Sequence, residues 1–203
     1  MASELRVYVD GTWTAGYGAW ALVVHSDTKA GLVDFGFGAG VAHSHQPMEL
    51  TAALEAARWL KVNAYTRRAE ILSDSKEYLV KCFDKKWYLR WRQSEPWRGA
   101  GSRKVKYVDL WKALFAALSE LQYVQRIDLV RGHIGISGNV QAHTLCGAAL
   151  GVTHPEAVHR WTWDRVERDV RRLFDADGTK ESDVVLKRLR QFAEERTDMD
   201  QRS

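Results

Sequence analysis

Three carboxylates in the first 74 residues of this 203-residue chain stand where a carboxylate is hard to place. Asp10 closes a run of strand-forming residues, Leu5-Arg6-Val7-Tyr8-Val9, and Gly11-Thr12 reads as the stop of that strand. A central strand is covered on both faces, so a carboxylate at its end asks for a counter-ion. Glu49 falls in the first turn of a helix that Pro47 announces, and it shares a face with Ala53, Ala56 and Leu60, which look inward. Asp74 closes a second short strand, Ala69 to Ser73, ahead of an amphipathic helix through Tyr78, Leu79 and Cys82. Each has an ordinary use when taken alone: Asp10 in a turn, Glu49 as complement to a helix dipole, Asp74 as an N-cap. Taken together, on neighbouring elements of one α/β sheet, they converge near one edge and repel one another. Coordination of a divalent metal ion relieves that repulsion.

The elements that must position these groups are legible at coarse grain. Gly18 to His25 and Leu32 to Gly38 read as two further strands joined by a turn around Ser26-Asp27-Thr28, so the chain opens as an antiparallel meander. Val124 to Arg131 reads as the last strand of the sheet. A glycine-rich loop, Gly132-His133-Ile134-Gly135-Ile136-Ser137-Gly138-Asn139, follows it and leads into a short helix. Asn139 there either caps that helix or touches a substrate.

Composition narrows the class. The length allows one substantial core with an appendage. No apolar run approaches the roughly 18 residues of a membrane span, and Met1-Ala2-Ser3-Glu4 lacks a signal-peptide pattern, so a cytoplasmic protein with no membrane partner is expected. Cys82 and Cys146 fit no metal spacing and read as reduced, buried thiols. Residues 76–106 carry ten Lys or Arg against three acids, the local excess that phosphate contact requires. Trp87, Trp91 and Trp97 are interleaved with those charges. The i,i+4 pair Trp87 and Trp91 reads as an anchor holding this basic segment in preference to a stacking platform for bases.

Six short segments, in order, resemble the motifs of bacterial-type (type 1) ribonuclease H: Val7-Tyr8-Val9-Asp10-Gly11-Thr12, Gly16-Tyr17-Gly18-Ala19, Met48-Glu49-Leu50, Ser73-Asp74-Ser75, Val108-Asp109-Leu110-Trp111, and Gly132-His133 with Asn139. The resemblance covers roughly residues 5–150. It implies a ribonuclease H-like α/β fold: a five-stranded mixed sheet, three antiparallel strands then two parallel, flanked by helices. It also implies an endonuclease that cuts the RNA strand of RNA–DNA hybrids with two Mg²⁺ or Mn²⁺ ions, leaving 5′-phosphate and 3′-hydroxyl ends. On this reading Asp10, Glu49 and Asp74 bind metal, and His133 is a mobile histidine that assists proton transfer or product departure. The substrate side would comprise Gly11, Thr12, Ser44, His45, Gln46, Ser75, Lys76, Lys85, Lys86, Trp87, Arg90, Trp91 and Asn139.

The chain departs from the family pattern at three places. His143 stands where the family has a fourth metal-binding aspartate, so the three carboxylates with His143 are expected to hold the two ions, and imidazole suits Mn²⁺ better than Mg²⁺. The loop Trp13-Thr14-Ala15 is shorter than the glycine- and proline-rich loop usual there, and His45 and Gln46 replace two asparagines. Two other classes compete with the nuclease reading. One is a hybrid-binding protein that has lost catalysis through His143; the other is a DNA nuclease or resolvase on the same fold.

After Thr153-His154-Pro155 the resemblance ends, which divides the chain into a catalytic domain at 1–153 and a helical extension at 154–203. Trp163, Val166, Val170 and Leu173 form one amphipathic stripe, Asp177-Gly178 breaks it, and Val185, Leu189 and Phe192 form another. Eleven Lys or Arg against twelve acids argue against a second nucleic-acid arm. The pair is expected to pack back on the first domain, with dimerisation as the alternative, and to fray from Thr197.

Overall fold

The computed structural model describes residues 5–26, 31–64, 68–93, 95–122, 124, 127–130, 137–156, 158–159, 161–175 and 180–200. Its centre is a five-stranded sheet. Strands β1 (Leu5–Thr14), β2 (Tyr17–Ser26) and β3 (Leu32–Val41) form the antiparallel meander, while β4 (Ala69–Ser73) and β5 (Ile127–Leu129) add in parallel to β1. The order across the sheet is β3-β2-β1-β4-β5, so β1 is central. The mixed sheet is as expected.

Two helical layers cover it. On one face lie α1 (Gln46–Asn63) and α4 (Val108–Ser119), packed on Leu5, Val7 and Val9 of β1. On the other lie α5 (Ser137–Thr153), α6 (Trp163–Phe174) and α7 (Glu181–Asp200), packed on Tyr8, Ala19, Ala21 and Val23. The alternation of β1 side chains between the two layers is the period of two that any strand imposes. The basic segment is built from a π-helical turn (Lys76–Val80), α2 (Lys81–Asp84), α3 (Trp87–Trp91) and a 3₁₀ turn (Ala100–Ser102).

Several boundaries differ from expectation. Gly11 does not stop β1, which pairs with β2 through Thr14 and turns at Ala15-Gly16, both at positive φ. Pairing of β1 with β4 does stop, at Val9 against Ser73, so Asp10 is the first β1 residue past the end of its parallel neighbour. The helix after Asp74 begins as a π-turn, and the glycine-rich text around Ser137-Gly138-Asn139 is already helical. Gly138 is there because Tyr8 leaves no room: a Cβ would sit 2.1 Å from the ring. His133, Arg131 and the Asp177-Gly178 break lie outside the described residues.

The extension packs back on the sheet. Val166, Val170, Phe174, Val185, Leu186 and Leu189 are all buried in the same cluster as Tyr8 and Phe35. On α6 the buried stripe is Val166, Val170 and Phe174; Trp163 is exposed instead, because four-residue spacing carries the stripe one position past Leu173. Helix α7 continues through Asp200, beyond the expected fraying point.

Candidate active site

The site forms where β4 ends and its parallel pairing with β1 stops, beside the N-terminus of α1. Asp10 is buried on β1, and Glu49 is buried in the first turn of α1, which begins behind Pro47. Asp74, immediately past β4, is exposed. Carboxylate oxygens of Asp10, Glu49 and Asp74 all lie within 4.8 Å of one another. This approach depends on Gly11, since a Cβ there would stand 2.3 Å from the Glu49 backbone nitrogen. The glycine lets α1 close down on β1, and the next residue back, Asp10, points to the opposite layer.

Burial first, then the charges of Asp10 and Asp74, hold the Glu49 carboxyl well above the usual carboxylate range. Glu49 Oε2 is buried with no hydrogen-bond partner, and so is Asn139 Oδ1. Buried acceptors without donors are costly. Three converging carboxylates with an orphaned oxygen make a donor set that fits a hard divalent cation. No side chain in this trio caps a helix: Ser75 precedes the π-turn without a side-chain cap bond, and Asp74 Oδ2 instead accepts from Asn139 Nδ2 at 3.3 Å.

Helix α5 closes the site from the other layer. His143 Nδ1 donates to Asp10 Oδ2 at 3.0 Å, and the buried Cys146 Sγ lies 3.1 Å from the Asp10 carbonyl oxygen. His143 therefore does reach the carboxylates, as a hydrogen-bond partner of Asp10. No sequence signal marks Cys146 as a neighbour of the site; burial, followed by the carboxylate charges, pushes its thiol well up. Both cysteines are free and buried, as expected.

On the substrate side, Ser44, His45 and Gln46 lead into α1, and Ser44 Oγ lies 2.9 Å from Tyr107 OH. Lys85 and Lys86 join α2 to α3, which carries Trp87, Arg90 and Trp91. Trp87 and Trp91 are half-buried against the core, with Trp91 edge-on to the fully buried Trp111 at 5.4 Å, so they anchor the basic segment. They also line an open groove of about 580 Å³ with Gln46, Arg90, Arg98, Arg103, Lys104 and Lys106, and no acid lines it.

The RNase H family model matches residues 2–150, about three quarters of the chain. The chain belongs to the ribonuclease H family. With that membership comes the family's divalent-metal-dependent hydrolysis of RNA in RNA–DNA hybrids. Among its relatives, Ribonuclease H of Rickettsia massiliae (strain Mtu5) is 35% identical over 148 residues, covering 71% of this chain and 90% of the relative. Ribonuclease H of Herminiimonas arsenicoxydans is 33% identical over 150 residues, 72% and 94% of the two chains. The fold is similar to the crystal structure of LC9-RNase H1, a type 1 RNase H with the type 2 active-site motif. That likeness has a TM-score of 0.58 at 23% identity and covers 74% of each chain. No helix among the described residues is long and apolar enough to cross a membrane.

Proposed function

We propose that this chain is an endonuclease that cuts the RNA strand of RNA–DNA hybrids by two-metal hydrolysis, leaving 5′-phosphate and 3′-hydroxyl ends. The observation that carries this reading is the convergence of Asp10, Glu49 and Asp74 within 4.8 Å around an unpartnered Glu49 oxygen. Asp10, Glu49 and Asp74 would hold the metal. When bound, the ions supply an activated water and stabilisation of the leaving 3′-oxygen.

The remaining work falls to the chain's own groups. Asp10, fixed by His143 on one oxygen, keeps the other free as a ligand. Asn139 orients Asp74 through its amide. His143 brings no negative charge where the family has an aspartate, which favours Mn²⁺ over Mg²⁺ relative to a four-carboxylate site. It would also serve as a fourth ligand, and His133 would assist proton transfer. The groove cations Arg90, Arg103 and Lys104, with Lys76, Lys85 and Lys86, neutralise hybrid phosphates. Ser44, His45 and Gln46 lie at the entry to the Glu49 helix, beside which a 2′-hydroxyl would be read; Gly11, Thr12 and Ser75 complete the substrate edge. Residues 1–153 would form the catalytic unit and 154–203 its helical extension. All three carboxylates come from one chain, so a monomer suffices.

The test is cleavage of labelled RNA–DNA hybrid, single-stranded RNA, duplex RNA and duplex DNA, each in Mg²⁺ and in Mn²⁺, with Asp10→Asn as the blank. Cutting of the RNA strand in the hybrid alone, lost in Asp10→Asn, is expected. Hybrid bound but never cut would make this a binding protein; preferential cutting of duplex DNA would make it another nuclease on this fold.

A further inference from the structure

The extension beyond Thr153 lies outside the family match, yet it touches the helix that closes the active site. Residues Asn139, His143, Gly147 and Gly151 are spaced by four and form one row along α5. The first two meet Asp74 and Asp10. The last two have no side chains, and Trp161 fills their place: a Cβ on Gly147 would come 2.0 Å from the Trp161 ring, and one on Gly151 2.3 Å from its Cβ. Trp161 thus sits on the row of His143, further along the same helix.

Gln141 pins α5 from another side. It is buried, its Oε1 lies 2.8 Å from His25 Nε2 on β2, and its Nε2 donates to the Leu173 carbonyl at 2.9 Å. That carbonyl belongs to the last turn of α6, whose oxygens have no partner within their own helix. The bond completes α6 and ties it to α5 at once. The pair is itself anchored: Arg171 Nη1 donates to Asp183 Oδ1 across α6 and α7 at 3.0 Å. Glu181 Oε1 accepts from the Leu32 amide, and Arg188 Nη1 donates to the Phe35 carbonyl, both on edge strand β3.

We infer that α6 and α7 are a brace that sets the position of α5, and through it the His143–Asp10 contact, with Gln141 as the positioning residue that couples them. The inference rests on the functional reading above only for its kinetic consequence. Rotation or sliding of α5 breaks the Gln141 bonds or drives it into Trp161, so the imidazole stays on Asp10.

The experiment uses the full chain with Gln141→Leu, which keeps volume and removes both hydrogen bonds. Leu118→Ala, in the opposite core layer, serves as a control of general destabilisation. Two readouts are taken well below every melting temperature: kcat and KM on RNA–DNA hybrid, and the ¹⁵N resonances of the His143 ring in metal-free protein. Gln141→Leu is expected to lose about tenfold in kcat with KM unchanged, as losses of supporting hydrogen bonds do. Its His143 Nδ1 signal should lose the hydrogen-bonded signature. Leu118→Ala should keep both. Trp161→Ala should repeat the Gln141→Leu pattern, and it decides the matter if Gln141→Leu fails to fold. Wild-type kcat and an unchanged His143 signature in these variants would overturn the brace, as would a parallel loss in Leu118→Ala. A wild-type chain that cuts no hybrid would sink the functional reading instead, with the ¹⁵N comparison still deciding the brace.

Discussion

His143 and Asp10 meet across 3.0 Å, a 64% exposed imidazole on a carboxylate that is 8% exposed, from elements 133 positions apart. The ring gives Asp10 a donor without adding charge to a crowded anionic site. His143→Asp replaces that donor by a fourth carboxylate, which suits Mg²⁺. The ratio of Mn²⁺- to Mg²⁺-supported hybrid cleavage is expected to fall about tenfold, the scale on which ligand surroundings act. An unchanged ratio would remove His143 from the metal chemistry.

Glu49 makes the metal-free fold sensitive to pH. Its folded-state pKa is raised by burial and by Asp10 and Asp74, so the folded chain holds this proton more tightly than the unfolded one. The resulting stability is fully present below the unfolded value of about 4.3 and is lost as pH rises through the raised folded value. In EDTA at neutral pH, Glu49→Gln should therefore melt above wild type, by about 2–4 °C per kcal/mol recovered. Mg²⁺ or Mn²⁺ should raise the wild-type melting temperature more than that of the variant. Thermal melts with and without metal check both; a variant that melts lower in EDTA contradicts the assignment.

Gly11→Ala tests the approach of α1 to β1. The added methyl would overlap the backbone of Met48 and Glu49, so the helix start must move. A destabilisation of about 1–3 kcal/mol is expected from the overpacking. Displacement of Glu49 should also cost about 10²-fold in kcat. Denaturant melts and single-turnover cleavage separate the two effects.

The convergence is legible for Glu49 and Asp74, at the start of a helix and the end of a strand; Asp10 lies inside β1, and only the end of the strand-forming run Leu5 to Val9, where pairing with β4 also stops, marks it. The start of α1 is legible from Pro47. Gly11 is no strand stop, although a glycine that permits close approach looks in sequence like one that breaks a strand. Ser137-Gly138-Asn139 reads as loop in sequence because its glycine serves a contact with Tyr8 that is 130 residues away. The contacts of Gln141, Trp161 and Cys146 are not legible in sequence because their partners are set by packing between layers, which leaves no periodic signal along the chain.

Phe174→Ala examines whether the extension shares one cooperative core with the sheet. Phe174 is 2% exposed and buried with Val170, Leu189 and Phe35. Truncation should cost about 3–5 kcal/mol. Unfolding should remain a single transition for both the sheet and the extension, monitored by circular dichroism and by amide exchange on α5. Separate transitions would show two independent units.

The sheet's two layers each contribute to one site: Glu49 descends from the α1 side, while His143 and Asn139 arrive from the α5 side. They meet where the pairing of β1 with β4 stops. During synthesis helices α1 and α4 are complete by residue 119, before α5 and the helices beyond it have emerged. A nascent or partly unfolded chain therefore carries its carboxylates without the partners that organise them. In such a chain Asp10 lacks its His143 contact and Asp74 its Asn139 contact, both of which arrive only with α5.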